Sequence, residues 1–507
     1  MLGSSPSRPG ASKPELGVVA AGHPITARTG ADVLRQGGNA VDAAIGAMLA
    51  SFACEPLLNA LGAGGYMLVA EPGSDPVLLD FFVEAPGRGG DPSRRADLVP
   101  INVSFGDAVQ IFNIGAASVG TYGLPLGLTE ASRRFGRIPL VELVKPATTL
   151  ARDGVELNAQ QAYVIEILAG IVTSTPEAGA LFAPAGQLVG AGDVLRQPEL
   201  ADALERLGAE GAEPFYTGDV AAAIVSWLSD RGGLLTAQDL AAYEVVDRSP
   251  VRVSYRGREV LTNPPPSAGG ILIARALDML DEQSGPPDLQ RIVEVMEETQ
   301  AARTPEFLDG LDNPLFVDAF LRGPLGSTTH IAVIDADGWA CSVTCSDGSC
   351  SGVIVPGTGV HLNNMLGEQD LNPLGFHRFP PGRRLPSMMA PTIVLRDGAP
   401  ELVLGSAGSN RIRSAILQTI IRVVDEGLRA GEAVKAPRVH FEAGVVYAEP
   451  GIDTEGLEEA GRTIGRFREL NLFFGGVQAA ERDRDGEFWG GGDPRRGGDA
   501  IVVQSGT

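Results

Sequence analysis

The chain has 507 residues, 44% of them hydrophobic and 20% charged, enough apolar material to bury a large core without disulfide or metal staples. Its 40 basic and 63 acidic residues give a net charge of −23, a field that repels phosphate backbones and anionic lipid and disfavours nucleic-acid and membrane-surface roles. The 66 glycines and 36 prolines speak against a helical bundle or coiled coil, and at about 150 residues per domain the length allows up to three or four domains.

The first 16 residues, polar and rich in Ser, Pro and Gly, read as a disordered leader. They hold no apolar core of a secretory signal, so a cytoplasmic protein is expected. Gly30 to Cys54 reads as two helices broken at Gly37-Gly38-Asn39, the second rich in alanine and suited to close packing on a sheet. Gly62 to Gly65 is a tight turn on its own merits, followed by strands over Tyr66 to Ala70 and Val77 to Val83. From Pro125 to Leu240 the pattern is mostly helical.

Val251 to Thr262 alternates as two strands around Arg256-Gly257-Arg258. The run Pro264-Pro265-Pro266-Ser267-Ala268-Gly269-Gly270 then opens an apolar helix from Ile271 to Leu280, and the acidic stretch 281–326 is the best linker candidate. Thr329 to Ile334 and Trp339 to Thr344 alternate around Asp335-Ala336-Asp337-Gly338, the signature of a hairpin. A second hairpin turns at Asp397-Gly398, and after Gly405 to Asn410 comes a helix whose apolar face steps through Ile412, Ile416, Ile420 and Val424. Antiparallel strands flanked by helices predict an α+β chain in layers.

No histidine pair has ligand spacing, and Cys341, Cys345 and Cys350 lack a second half-site, so no metal and no cofactor is expected. Cys341 and Cys345 share a strand face and read as core. Phosphate-binding and nucleophile-elbow motifs are missing too. What remains is a loop meeting a strand at Gly326-Ser327-Thr328-Thr329-His330, and a Gly408-Ser409 turn at a helix start. A helix start presents unpaired N–H groups that suit an oxyanion. A Thr hydroxyl becomes a nucleophile when its own α-amine serves as base, which requires cutting the chain before it; a Thr that merely begins a strand is the commonplace alternative.

The blocks GGNAVDAAI (37–45), GAGGYML (62–68), LTAQDLAAYEVVDRSPV (235–251), PPPSAGG (264–270), STTHIAVIDADG (327–338), RRLPSMMAPTIV (383–394), GSAGSNRI (405–412), APRVH (436–440) and GGDPRR (491–496) together resemble the γ-glutamyltranspeptidase family. The resemblance runs from about residue 17 to 503 and implies a four-layer αββα N-terminal-nucleophile hydrolase sandwich with an added helical region. It implies self-cleavage between Ser327 and Thr328, giving a large subunit (17–327 after the leader) and a small one (328–507) that stay together as a heterodimer. Thr328 matches the nucleophile, Ser346 the hydroxyl that bonds it, and Gly408 and Ser409 the oxyanion-hole pair.

Departures from the family pattern fall on the substrate grip. Of the paired serines that hold a carboxylate only Ser387 remains, followed by Met388. The matching Arg is not placed; Arg88, Arg94 and Arg95 lie nearby but out of register. The family's amino clamp falls on Asp347 or Gly348, Met365 and Glu368. The resemblance implies hydrolysis or transfer of the γ-glutamyl group of glutathione or related amides, to water or an amino-acid acceptor. A non-glutamyl acylase of glutaryl or cephalosporin type, and an unprocessed inactive homologue, remain as alternatives.

Overall fold

The computed structural model describes residues 14–91, 96–104, 109–301, 327–372 and 375–506. Numbering the strands of the two main sheets, the chain opens with β1 (Glu15–Ala21), helices α1 (Pro24–Arg35) and α2 (Ala40–Cys54), then β2 (Gly64–Ala70) and β3 (Val77–Phe81). A mostly helical stretch follows, including α3 (Ala159–Ile167). Next come β4 (Val246–Arg248), β5 (Val251–Tyr255), β6 (Arg258–Thr262), α4 (Ala268–Asp281) and α5 (Leu289–Ala301). Beyond residue 326 lie β7 (Ser327–Asp335), β8 (Ala340–Gly348), β9 (Thr392–Arg396), β10 (Ala399–Ala407), α6 (Arg411–Val424), β11 (Gly476–Arg482), β12 (Phe488–Gly492) and β13 (Asp499–Gln504).

Two corrections arise at the segment limits. The first strand begins at Glu15, so residues 15 and 16 are sheet and not leader, while 1–13 lie outside the described residues. The expected linker 281–326 contains α5, whose Val293 and Met296 are buried; 302–326 lie outside the described residues.

Seven strands form one sheet in the order β13-β1-β7-β8-β2-β3-β4, and six form the other in the order β12-β11-β10-β9-β6-β5. Every neighbour in both is antiparallel. Each sheet contains strands from both sides of residue 327, so the two halves share one core. Side-chain alternation along β7 sets the layers: Ala332 and Ile334 join the apolar cluster between the sheets, while Ile331 and Val333 join the one beneath α1 and α2. Helices α4 and α6 cover the second sheet. This is the αββα sandwich expected.

Local chemistry explains the layer beneath the first sheet. Asn39 caps α2: its side chain accepts from Val41 and Asp42 N–H, and the Asp42 carboxylate accepts from Asn39 N–H, a reciprocal cap that fixes where the helix begins. Every residue of α2 is buried, because it lies between the sheet and the helical region, and only an alanine-rich helix approaches both that closely. Gly64 and Gly65 open β2 and pair with Ser346 and Cys345. A Cβ on Gly65 would sit 2.5 Å from the Thr344 carbonyl oxygen, so the glycine run is a requirement of close strand approach rather than of a turn. Cys341 and Cys345 are buried in the α2 layer, free of disulfides.

Candidate active site

Strand β7 carries Thr328 to the top of the first sheet, where its ladder with β8 is irregular. Ser327 pairs with Gly348 but Thr329 with Cys345, so two residues of β8, Ser346 and Asp347, oppose the single Thr328. Such a bulge re-aims side chains at a strand end. Thr328 and Ser346 turn toward the second sheet and line one cleft of about 350 Å³ with Gly348, Met365, Glu368, Ser387, Met388 and Ser409. Residues called from the sequence thus meet in three dimensions although they span more than 80 positions.

The Gly408-Ser409 turn sits directly before α6, as expected. Gly408 has φ +118 and Ser409 φ +50; Arg411 and Ile412 N–H donate to their carbonyls at 3.1 Å each. Gly408 is required, since a Cβ there would lie 2.9 Å from Gly475 Cα. Ser409, in the left-handed region without being glycine, carries backbone strain on the order of 1 kcal/mol. Ser409 lines the cleft, whereas the preceding Gly408 is not among its lining residues.

On the opposite wall, Ser387 Oγ accepts from Met389 N–H at 2.9 Å, which holds the loop before β9. Met388 is buried, and its carbonyl is pinned so tightly that a Cβ on Gly269 would meet it at 2.1 Å. Glu368 is 2% exposed; its Oε1 accepts from Ser349 N–H at 3.1 Å and Ser349 Oγ at 3.0 Å. Between the two sequence options for the amino clamp, Gly348 faces the cleft and Asp347 does not. Both carboxylate oxygens of Asp347 are buried without a partner, and burial lifts its pKa well above the carboxylate range.

Phe82 lines the cleft and stacks on Tyr66 at 5.3 Å. Arg88 is engaged elsewhere, with Glu84 at 2.9 Å, and Arg94 and Arg95 lie outside the described residues. Arg384 approaches from behind, donating to the Phe82 carbonyl and pairing with Asp80. Among the described residues, the cleft wall bears one carboxylate and no cation. Phe82 and Leu371 were not named from the sequence, and Ile412 was read only as helix core; the spacing after Asp80 was the signal that could have found Phe82.

No neighbouring imidazole supplies a base. His330 is buried with its pKa pushed down to about 3 by desolvation, and Nδ1 is 2.8 Å from Thr344 Oγ1. No group of three metal-binding side chains exists among the described residues. An α-amine freed at Thr328 would stand within its own side chain's reach, which is the arrangement that activates a Thr hydroxyl.

A profile described as Gamma-glutamyltranspeptidase matches residues 26–319 and 312–503. The chain is 31% identical to the glutathione hydrolase proenzyme of Escherichia coli K12, covering 94% of this chain and 90% of that protein. It is 29% identical to the acylase ACY 1 proenzyme of Pseudomonas sp. SE83, over 97% and 94% of the two chains. Among solved structures, the cephalosporin acylase from Bacillus halodurans superposes with a TM-score of 0.82 at 26% identity, covering 99% of this chain and 98% of that one. The chain belongs to the γ-glutamyltranspeptidase family of N-terminal-nucleophile hydrolases.

Proposed function

We propose that the chain cleaves itself between Ser327 and Thr328 and then hydrolyses or transfers the γ-glutamyl group of glutathione or related γ-glutamyl amides. The observation that carries this reading is the convergence of Thr328, Ser346, Ser387, Glu368 and Ser409 on one cleft, beside the glycine turn that opens α6. Thr328 Oγ attacks the scissile carbonyl, its α-amine taking the hydroxyl proton and passing it to the leaving nitrogen as the C–N bond breaks. The N–H groups of the Gly408-Ser409 turn stabilise the oxyanion, each such donor being worth roughly 10²–10³ in rate. Ser346 holds the hydroxyl in place, and water or an amine then opens the Thr328 ester. Glu368 receives the α-amino group and Ser387 one carboxylate oxygen.

One observation favours a second reading, an acylase for a non-glutamyl amide. Phe82, Met365 and Met388 present an apolar wall where a substrate carboxylate would need a cation, and neither thioether nor ring can pair a buried charge. Chromophore release from a γ-glutamyl anilide, set against cleavage of a glutaryl amide by the same processed protein, separates the two. A processed protein that cleaves only the glutaryl amide overturns the glutamyl assignment. Thr328→Ala should remove both activities.

A further inference from the structure

Behind the catalytic strand, four elements meet at one buried carboxylate. Glu55 ends α2, its N–H donating to the Ser51 carbonyl at 2.6 Å, and Pro56 after it disfavours a further helical turn. The Glu55 side chain reaches the end of the first sheet. There Thr26 Oγ1 of α1 donates to its Oε1 at 3.1 Å, and Thr329 Oγ1 of β7 donates to its Oε2 at 2.8 Å. Gly22, between β1 and α1, leaves the space: a Cβ on it would lie 2.5 Å from Glu55 Oε2 and 3.2 Å from Thr329 Oγ1. Glu55, Thr26 and Thr329 are all buried, and a polar group so placed is tolerated only when it is hydrogen-bonded.

Thr329 is the neighbour of the nucleophile, and alternation along β7 turns its side chain away from the cleft that Thr328 lines. It is also the first residue beyond the bulge to return to the ladder, opposite Cys345. A bulge disrupts the ladder locally, so the backbone of Thr328 is placed by what holds its two neighbours: Ser327 opposite Gly348, and Thr329 on Cys345 and Glu55. Cleavage between Ser327 and Thr328 takes the first of these supports away and makes Thr328 a chain end, and chain ends fray unless tied down. The Thr329 hydroxyl is then a tether one residue from the nucleophile, and Glu55, which receives it, lies on the other product of the cut.

We propose that Glu55 is a positioning residue: by gripping Thr329 across the subunit boundary, it holds the freed Thr328 end where its hydroxyl and α-amine meet the scissile carbonyl. The assignment rests on the cleavage proposed above, and it applies equally to a glutamyl or a non-glutamyl acyl group. Glu55 is not among the residues lining the cleft, so it acts through Thr329 and takes no part in making or breaking bonds. Two consequences separate this role from ordinary stabilisation. Before the cut, Ser327 still anchors Thr328 from the other side, so loss of the grip leaves self-cleavage close to normal. After the cut, the loss falls on kcat and spares KM, because the cleft wall is untouched.

The test follows full-length wild type, Glu55→Ala and Glu55→Gln by intact mass over time. Once processed, each is assayed on whichever amide the wild type cleaves, the γ-glutamyl anilide or the glutaryl amide. Glu55→Ala should lower kcat by about tenfold to 10²-fold, the scale of a reacting group misplaced by about 1 Å, with KM and the rate of self-cleavage within a few-fold of wild type. Glu55→Gln, which keeps an acceptor oxygen for Thr329, should restore most of kcat. Thr329→Val, which removes the donor and nearly keeps the shape, should reproduce the loss and add little to it in the double variant; it also carries the test if Glu55→Ala does not fold. Unchanged kcat in both Glu55→Ala and Thr329→Val, a loss that Glu55→Gln does not relieve, or equal losses in self-cleavage and turnover overturn the positioning role and leave the cleavage reading standing. A wild type that remains a single chain overturns the cleavage reading and this one with it.

Discussion

The two walls of the cleft are held by different constraints. The edge made by β7, β8 and the turn before α6 offers only hydroxyls and backbone N–H groups, and its geometry is held by constraints that tolerate few residues: a strand bulge at Thr328, a glycine at positive φ, and a helix start. The facing wall, made by Phe82, Met365 and Met388, is held by apolar packing, which accepts many side chains of similar volume. Chemistry that depends on backbone placement resists substitution, while recognition that depends on side-chain polarity changes with a few replacements. The chain's relatives include both a glutathione hydrolase proenzyme and an acylase.

The sharpest way to break the comparison is at the rigid edge. Gly408→Ala places a Cβ 2.9 Å from Gly475 Cα at φ +118, so the turn must shift, and kcat should fall by about 10²–10³ as an oxyanion donor is misplaced. Near-normal kcat in that variant would remove the turn from the mechanism. At the soft wall the effect should be smaller and selective. Met388→Ser should change the ratio of kcat/KM between a γ-glutamyl and an apolar acyl amide by about tenfold in favour of the glutamyl substrate. A change in both substrates by the same factor would mean that the wall does not select.

Glu55, behind the catalytic strand, gives a pH-dependent effect. Its folded pKa of about 7 lies above the ordinary 4.5, because burial outweighs the hydrogen bonds from Thr329 and Thr26. Its contribution to stability is therefore full below about pH 4.5 and lost as pH rises through about 7. Glu55→Gln, which keeps two acceptor positions on one oxygen and never ionises, should gain in Tm on the wild type between about pH 5 and about pH 8. A gap independent of pH would show that Glu55 titrates normally. The smallest effect is at Ser409, where Ser409→Gly should add roughly 0.5–1 kcal/mol to stability in denaturant unfolding by relieving φ +50.

Much of this was legible in the sequence because it rests on local periodicity. The strict alternation after Thr329 fixed a hairpin, and the four-residue spacing from Ile412 gave α6 to within a residue of its start. Helix α5 was hidden because Val293 and Met296 are scattered among acidic residues, and only packing against other elements shows that they form one buried face. Helix α1 starts at Pro24, six residues before the apolar pattern becomes readable, because its cap is His23, whose Nδ1 accepts from Ile25 N–H at 3.2 Å. Within the site, the hydroxyl and glycine residues carried the family pattern and were found. Phe82 was not, since a buried aromatic gains its meaning from neighbours such as Thr328 and Met388, hundreds of positions away. Glu55 reads as a helix terminus until Thr329, 274 residues on, donates to it.

The most direct test of the central claim is the intact mass of the purified protein under denaturing conditions. Cleavage before Thr328 predicts two species of about 34 and 19 kDa, the shares of 52.7 kDa carried by residues 1–327 and 328–507. The smaller should begin with Thr328, and Thr328→Ala should remain a single chain. A wild-type protein that stays at 52.7 kDa through long incubation, or a cut at any other bond, would contradict the account.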